Sequence, residues 1–431
     1  MSPVQSSKGR EQLLLNGYRY RNGTEYVTLT EHNRAPNPDE ITSVEFKSKI
    51  NVHAISSNDA PRRIIHRALL EVDLNDASAV PNYKNAQRLV ERKRKKNAIP
   101  LSTPTTFAEI EIPEELKLTN AGDIFLLYNN EKYNNRLIVL SSRENMTRLS
   151  ASDHWHADGA FKVAPKLFYQ LYSIHGHIHG RTFPLLYAFL PGKSNDVYSE
   201  FFDVVQQHIS KHPASITVDF EPAVSNVIKQ KFSSTAVTAC FFHFKQNLWR
   251  KIRDLGLVSL FLDESQVRIQ MKNFAVLAFI PTDHVIEEFE RLEEESLGSI
   301  NEFVDYFEKN YIGRRARYNH RRSPRFSISF WNCFDRLDQQ LFRTNNPQEG
   351  WHNAVQNSCR KHPSICESIQ DLKTEQHAQL IFVEQAETGT SKVRKRATYE
   401  KLDEQLQQLV TNFHLYPRNE YFKRARALFN F

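Results

Sequence analysis

Apolar positions change their spacing twice along this chain. Between residues 123 and 190 they fall in short runs rich in aromatic and β-branched residues: DIFLLYN, NRLIVLS, HADGAFKV, LFYQLYSIHGHI and TFPLLYAFL. The last three are separated only by APK and HG, so each run predicts a short strand bounded by turn formers. SNDVYSEFFDVVQQHIS then takes up the helical period, with Ser194 or Asn195 as N-cap. ASITVDF predicts a strand, EPAVSNVIKQKF a helix with Pro222 in its first turn, STAVTAC a strand, and HFKQNLWRKIRDLG a helix ending at a glycine. A meander of strands followed by strand–helix units predicts an α/β fold, a mixed sheet with helices on its faces.

Outside this block the pattern differs. The first forty residues predict two short strands around Asn22-Gly23, a hairpin signal ended by Pro36 and Pro38. Residues 41–100 read as helical, with Ile64, Ile65, Ala68, Leu69 and Val72 at spacings of three and four, and close on a basic run and a linker. Residues 259–340 predict a mostly helical segment, 346–358 and 365–388 further helices, and 391–431 a charged tail. The expected organisation is 1–40, 41–100, 120–258, 259–340, 341–390 and 391–431.

A chain of 431 residues is long enough for two or three domains. Lys and Arg outnumber Asp and Glu by 57 to 50, a modest excess that favours an anionic partner through its distribution more than its sum. No apolar run approaches the ~20 residues that cross a bilayer, so no membrane partner is expected. Cys240, Cys333, Cys359 and Cys366 contain no Cys-x-x-Cys pair, which excludes a thioredoxin-like motif and a four-cysteine zinc site.

Three acids stand out by position. Asp158 lies at a strand entry in HADGAF, and Asp219 ends the strand SITVDF, where reacting groups gather in sheets with βα connections. Glu349 sits in NPQE. Each also has a plain structural role: a turn at Asp158-Gly159, a helix cap at Asp219, and a capping box at Glu349. Taken singly by spacing, the structural roles are favoured.

The wording around these acids carries a resemblance. WHADGAFKVAPKLFYQLYSIHGHIHGRTFPLLYAFLPGKS, TVDFEPA, CFFHFKQNLWRKI and RTNNPQEGWH, in that order, resemble the transposase domain of Mutator-like elements, the MULE transposase domain, over roughly residues 120–390. The resemblance implies an RNase H-like nucleotidyltransferase core with a DDE triad at Asp158, Asp219 and Glu349, interrupted by a helical insertion before the last acid. It implies two Mg²⁺ or Mn²⁺ ions held by those acids, DNA strand cleavage and transfer at element ends, and DNA transposition or recombination in the nucleus. The implied partner is double-stranded DNA carrying terminal repeats, with a homo-oligomer on that DNA as an open assembly. The alternatives are a host-adopted, non-catalytic DNA-binding protein that keeps the scaffold, and an unrelated α/β protein whose acids do not converge.

Cys240 and His243 match the family's Cys-x-x-His motif. A structural zinc site normally needs four ligands, and no second pair at finger-like spacing exists. Cys240 is therefore expected as a core or near-site residue and His243 as a DNA or active-site contact. LLLNGYRYR and TEYVTLTEHNRAPNPDE resemble the two ends of a FLYWCH zinc finger. The paired cysteines of its middle are missing, and the closing His-x-His falls on His32 and Arg34. Zinc is not expected there.

Residues 313–325, GRRARYNHRRSPR, hold Arg314, Arg315, Arg317, Arg321, Arg322 and Arg325 without one acid. Arginine forks suit phosphate oxygens, so this cluster is the expected DNA contact. ERKRKK, ending at Lys96, reads as a nuclear signal or a DNA patch, and KVRKR and FKRARA as weaker versions.

Overall fold

The computed structural model describes the chain outside residues 1, 6–10, 16–17, 22–36, 58–60, 98–103, 133, 317–319, 339–349, 353, 356–362 and 389–396. It forms two compact units, Met1–Ser102 and Thr103–Phe431.

In the first unit, β1 (Ser2–Gln5), β2 (Glu11–Leu15) and β3 (Tyr18–Arg21) make a small antiparallel sheet. Tyr18–Arg21 is a strand as expected, but its partner lies before it, with Leu15 opposite Tyr18. Asn16-Gly17 is as strong a turn pair as Asn22-Gly23, and an apolar run precedes it. Residues 22–36, with His32 and Arg34, lie outside the described residues. Three helices follow: α1 (Pro38–Ser56), α2 (Pro61–Leu69) and α3 (Tyr83–Asn97). Asn37 caps α1 by accepting the Glu40 N–H, and Pro38 supplies the preset first turn. Phe46, Ile50 and Ala54 bury against Ile64, Ile65, Ala68, Ala86 and Val90. Arg94 of the basic run donates to the carbonyls of Ala54 and Ser57, so this residue seals the end of α1.

The second unit is built on a seven-stranded mixed sheet in the order β10-β9-β6-β7-β8-β5-β4. Its strands are β4 (Leu126–Asn129), β5 (Ile138–Leu140), β6 (His154–Ala160), β7 (Gln170–Ile178), β8 (Arg181–Leu190), β9 (Ser215–Val218) and β10 (Ala236–Ala239). β4 to β8 pair antiparallel, while β6–β9 and β9–β10 are parallel. β6 is thus the seam where the meander meets the strand–helix units.

A nine-residue helix, α4 (Arg143–Ala151), precedes β6, where the apolar pattern predicts none. Its apolar positions are few, and its signal is the Ser142 cap, which accepts the Asn145 N–H. The expected helices appear as α5 (Asn195–His208), capped by Ser194, α6 (Pro222–Lys231) and α7 (Phe241–Asp254). Phe201, Phe202, Val224, Ile228, Phe244 and Leu248 carry their apolar faces into one core with Trp155, Ile216 and Val218.

After α7 the chain is helical: Val258–Asp263, α8 (Ser265–Val276), α9 (Val285–Glu294), α10 (Asn301–Phe307), and the short turns Ile328–Trp331 and Phe334–Asp338. These pack on α7 through rings, with Phe244 stacked on Trp331 at 5.1 Å and 7°. Then come α11 (Ile365–Glu387), with a capping box between Ser364 and Glu367, α12 (Ala397–Thr411) and α13 (Arg418–Ala427). The end of the expected charged tail is docked: Tyr421, Phe422 and Ala425 are buried, and Arg418 joins Arg291 on the buried Glu288 carboxylate. No helix among the described residues is long and apolar enough to cross a membrane.

Candidate active site

The parallel pairing of β6 with β9 brings two of the three expected acids together. His154, Trp155 and His156 stand opposite Ser215, Ile216 and Thr217. Continuing that register by two residues sets Asp158 beside Asp219, although 61 positions separate them in sequence (219 − 158). Neighbouring strands lie about 4.8 Å apart, so the two carboxylates share one strand-end cleft. Asp158 is not in a turn. It lies within the β6 ladder opposite Ser173, and its Oδ1 accepts the Gly159 N–H at 2.7 Å.

Asp158 is 6% exposed. Burial, and then the Asp219 charge facing it, push its carboxyl well above the ordinary carboxylate range. Glu221 lines the same small cleft, with Gln170 and Tyr172. Burial raises Glu221 too, against the Tyr198 hydroxyl and Lys193, which lower it. Glu221 heads α6 without capping it, and its Oε1 is buried without a hydrogen-bond partner. The sequence reading passed over Glu221, although it stands two residues from Asp219 in DFEPA.

Cys240 and His243 start α7. The Cys240 N–H donates to the Val218 carbonyl, which fixes the first turn of α7 against the end of β9. Cys240 is fully buried. His243, one turn on, sets Nδ1 2.5 Å from Asp219 Oδ1. Burial disfavours the imidazolium, but contact with Asp219 and with the Cys240 side chain outweighs it and holds His243 up at about 11. Asp219 therefore faces a cation.

A second histidine reaches Asp158. Residues 350–352 are helical, and Trp351 stacks on Tyr187 at 5.6 Å and meets His175 edge-on at 5.2 Å. Its indole N–H donates to Glu375 at 2.8 Å. So anchored, the chain presents His352 with Nδ1 3.6 Å from Asp158 Oδ2 and Nε2 3.3 Å from the Ser173 hydroxyl. Burial lowers His352 to about 4, despite the Asp219 charge. Glu349 itself lies outside the described residues, as does Arg317.

The arginine cluster is a hairpin, bridged between Arg315 and Arg321, and acids from elsewhere meet part of it. Arg314 pairs with Asp305 at 2.7 Å, and Arg315 with Glu290 and Glu293. Arg321 is inserted between Glu290 and Glu308, both at 2.7 Å, with its guanidinium over the Phe289 ring. Arg322 and Arg325 remain exposed, and Arg325 lies over Phe326 at 5.2 Å.

Two hard-oxygen carboxylates in one cleft suit a divalent cation, and the mutual repulsion that raises Asp158 is what such an ion would relieve. Among the described residues no three His, Cys, Asp or Glu side chains converge as a ligand set. The chemistry open to the described pair is that of a half-complete cation site.

A family model, the MULE transposase domain, matches residues 154–247. The match spans Asp158, Asp219, Cys240 and His243, and ends before the arginine hairpin and Glu349. No curated protein matches the chain. Residues 154–247 are thus similar to a MULE transposase domain, a transposase-like stretch that holds both facing aspartates.

Proposed function

We propose that this protein is a DDE-type transposase, cleaving and joining DNA strands at element ends by metal-dependent phosphoryl transfer. The observation that carries the reading is the β6–β9 register, which sets Asp158 beside Asp219 inside the matched domain. The third acid of the reading is Glu349; its support is that His352, three positions on, contacts Asp158. The sheet is read as RNase H-like, with the helices between residues 258 and 338 as the insertion and the nucleus as the site of action.

Asp158, Asp219 and Glu349 would hold two Mg²⁺ or Mn²⁺ ions, which when bound supply activation of an attacking oxygen and stabilisation of the leaving one. The chain's own residues hold the acids in place. The Gly159 N–H and His352 orient Asp158. His243 orients Asp219 from the rigid first turn of α7. Among the described arginines of the cluster, Arg322 and Arg325 are left for DNA phosphates.

The test is nicking and strand transfer on DNA carrying the element's terminal repeats, in Mg²⁺ or Mn²⁺, with Asp219→Ala alongside. The expected result is metal-dependent nicking that falls at least about a hundredfold in the variant, the scale of losing one transition-state stabiliser. Salt-sensitive DNA binding without nicking would replace this reading with that of a host-adopted DNA-binding protein.

A further inference from the structure

Phe161 and Tyr169 bracket the loop between β6 and β7, and both leave their rings in water. Phe161 is 55% exposed and Tyr169 44%. The rings touch edge-to-face, with centroids 5.3 Å apart at 84°. The loop has a buried anchor of its own: Phe168 packs against Phe107 at 5.2 Å and Phe189 at 5.5 Å. The other exposed aromatic side chains described, Tyr83 and Phe382, have no such partner ring. Two large rings held together at a surface, where burial would have stabilised them, mark a contact surface.

Its position and charge say what it contacts. Phe161 follows Asp158 by three residues and lines the same cleft as Asp158 and Asp219. Lys193 sets Nζ 5.7 Å from the Tyr169 ring centre, and its charge also reaches Glu221 on the cleft wall. Lys162 and Lys166 are exposed in the loop, and residues 161–169 contain no acid. Exposed rings interleaved with lysines fit a polyanion that carries flat apolar bases. A paired base offers no free face to such rings, so the base must be unpaired or turned out of the stack.

We propose that Phe161 and Tyr169, with Lys193, form a stacking platform for an unpaired DNA base next to the phosphodiester that Asp158 and Asp219 act on. This rests on the transposase reading for the second half of that statement. The platform itself selects strand ends or distorted duplex over regular duplex. The neighbouring lysines take the flanking phosphates.

The experiment uses the full chain and a duplex oligonucleotide with a short single-stranded tail, 2-aminopurine standing at the first unpaired position. It is run in EDTA, so that no strand is cut. Stacking on the wild-type protein is expected to quench the 2-aminopurine. Phe161→Ala/Tyr169→Ala is expected to bind the tailed probe about 5- to 150-fold more weakly, the range for losing one stacked base. Affinity for the blunt duplex should move less than about twofold. Tyr169→Phe should retain binding, since it keeps the ring. Lys193→Ala should lower the salt slope by about 0.7, one single-strand phosphate contact.

Equal loss on tailed and blunt DNA, or no loss on either, overturns the proposal. So does a shift in oligomeric state of the double variant by light scattering, which would assign the rings to a second copy of the chain. The nuclease reading is judged separately by nicking in Asp219→Ala. A wild type that fails to nick but loses tailed-DNA binding in the double variant retains the platform and rejects the nuclease. A wild type that nicks with the platform variants binding normally does the reverse.

Discussion

Arg321 separates what an arginine-rich segment suggests from what its neighbours make of it. Its side chain is 10% exposed, and Glu308, one of its two partners, is 13% exposed, while Glu290 is 38% exposed. Arg321→Ala removes a mostly buried charged hydrogen bond, about 1.5–3 kcal/mol, and a more exposed ion pair, about 0.2–1 kcal/mol. It also leaves Glu308 without its closest counter-ion. The sum is about 3 kcal/mol. At ~2.1 cal/mol/K of unfolding entropy per residue, the 329 residues of Thr103–Phe431 (431 − 103 + 1) give about 0.7 kcal/mol/K, so Tm should fall by about 4 °C.

The deficit has a pH signature. Burial and the Glu308 charge already push Glu293 up, while Arg315 and Arg321 pull it down. Without Arg321, Glu293 rises further, and the native state then holds more protons than the unfolded one. Stability of the variant must therefore drop as pH rises through the carboxylate range. The Tm difference should be full at pH 8 and shrink towards pH 4. Thermal unfolding at both pH values, beside DNA affinity across salt concentrations, makes the assay. Arg321→Ala should leave the salt slope unchanged, whereas Arg322→Ala should lower it by about 0.9. An unchanged Tm with a reduced slope in Arg321→Ala would refute the reasoning and return Arg321 to the DNA surface.

Two further outcomes follow from the same geometry. Gly313 opens the hairpin at φ 94°, and a Cβ there would stand 1.8 Å from the Arg322 carbonyl oxygen; Gly313→Ala should cost at least about 1–3 kcal/mol and weaken DNA binding with it, and a variant of unchanged Tm would count against the hairpin. Asp158→Asn keeps an oxygen for the Gly159 N–H but removes a charge whose folded-state pKa lies above the unfolded one, so wild-type stability falls as pH rises above about 3.8, the group's ordinary value. In EDTA the variant should match the wild type near pH 3 and exceed it at pH 8, and in Mg²⁺ it should lose all nicking; lower stability at pH 8 in EDTA would refute the electrostatic account.

Local patterns announced most elements of the second unit. The aromatic and β-branched runs from 123 to 190 became β4 to β8, Ser194 and Pro222 opened the helices they marked, and the α7 segment ends before Gly256, which takes φ 70°. These signals are short-range: side-chain period, caps and turn residues act within a few positions. The helix α4 escaped because its few apolar positions fall in a strand-rich neighbourhood.

The site was legible only as wording. Nothing local in HADGAF or TVDFEP states that Asp158 and Asp219 are neighbours; strand pairing across 61 positions does that. The same holds for His243 on Asp219, for His352 on Asp158, and for Glu221 in their cleft. It holds most plainly for the arginines. Read along the chain, residues 313–325 carry no acid, yet folding sets Glu290, Glu293, Asp305 and Glu308 against them. A residue's type and period are written in the sequence, and they sufficed for strands, helices and the candidate acids. Which charges meet depends on chain reversals that bring distant segments within a few ångströms, where burial and Coulomb forces reassign the role of each side chain.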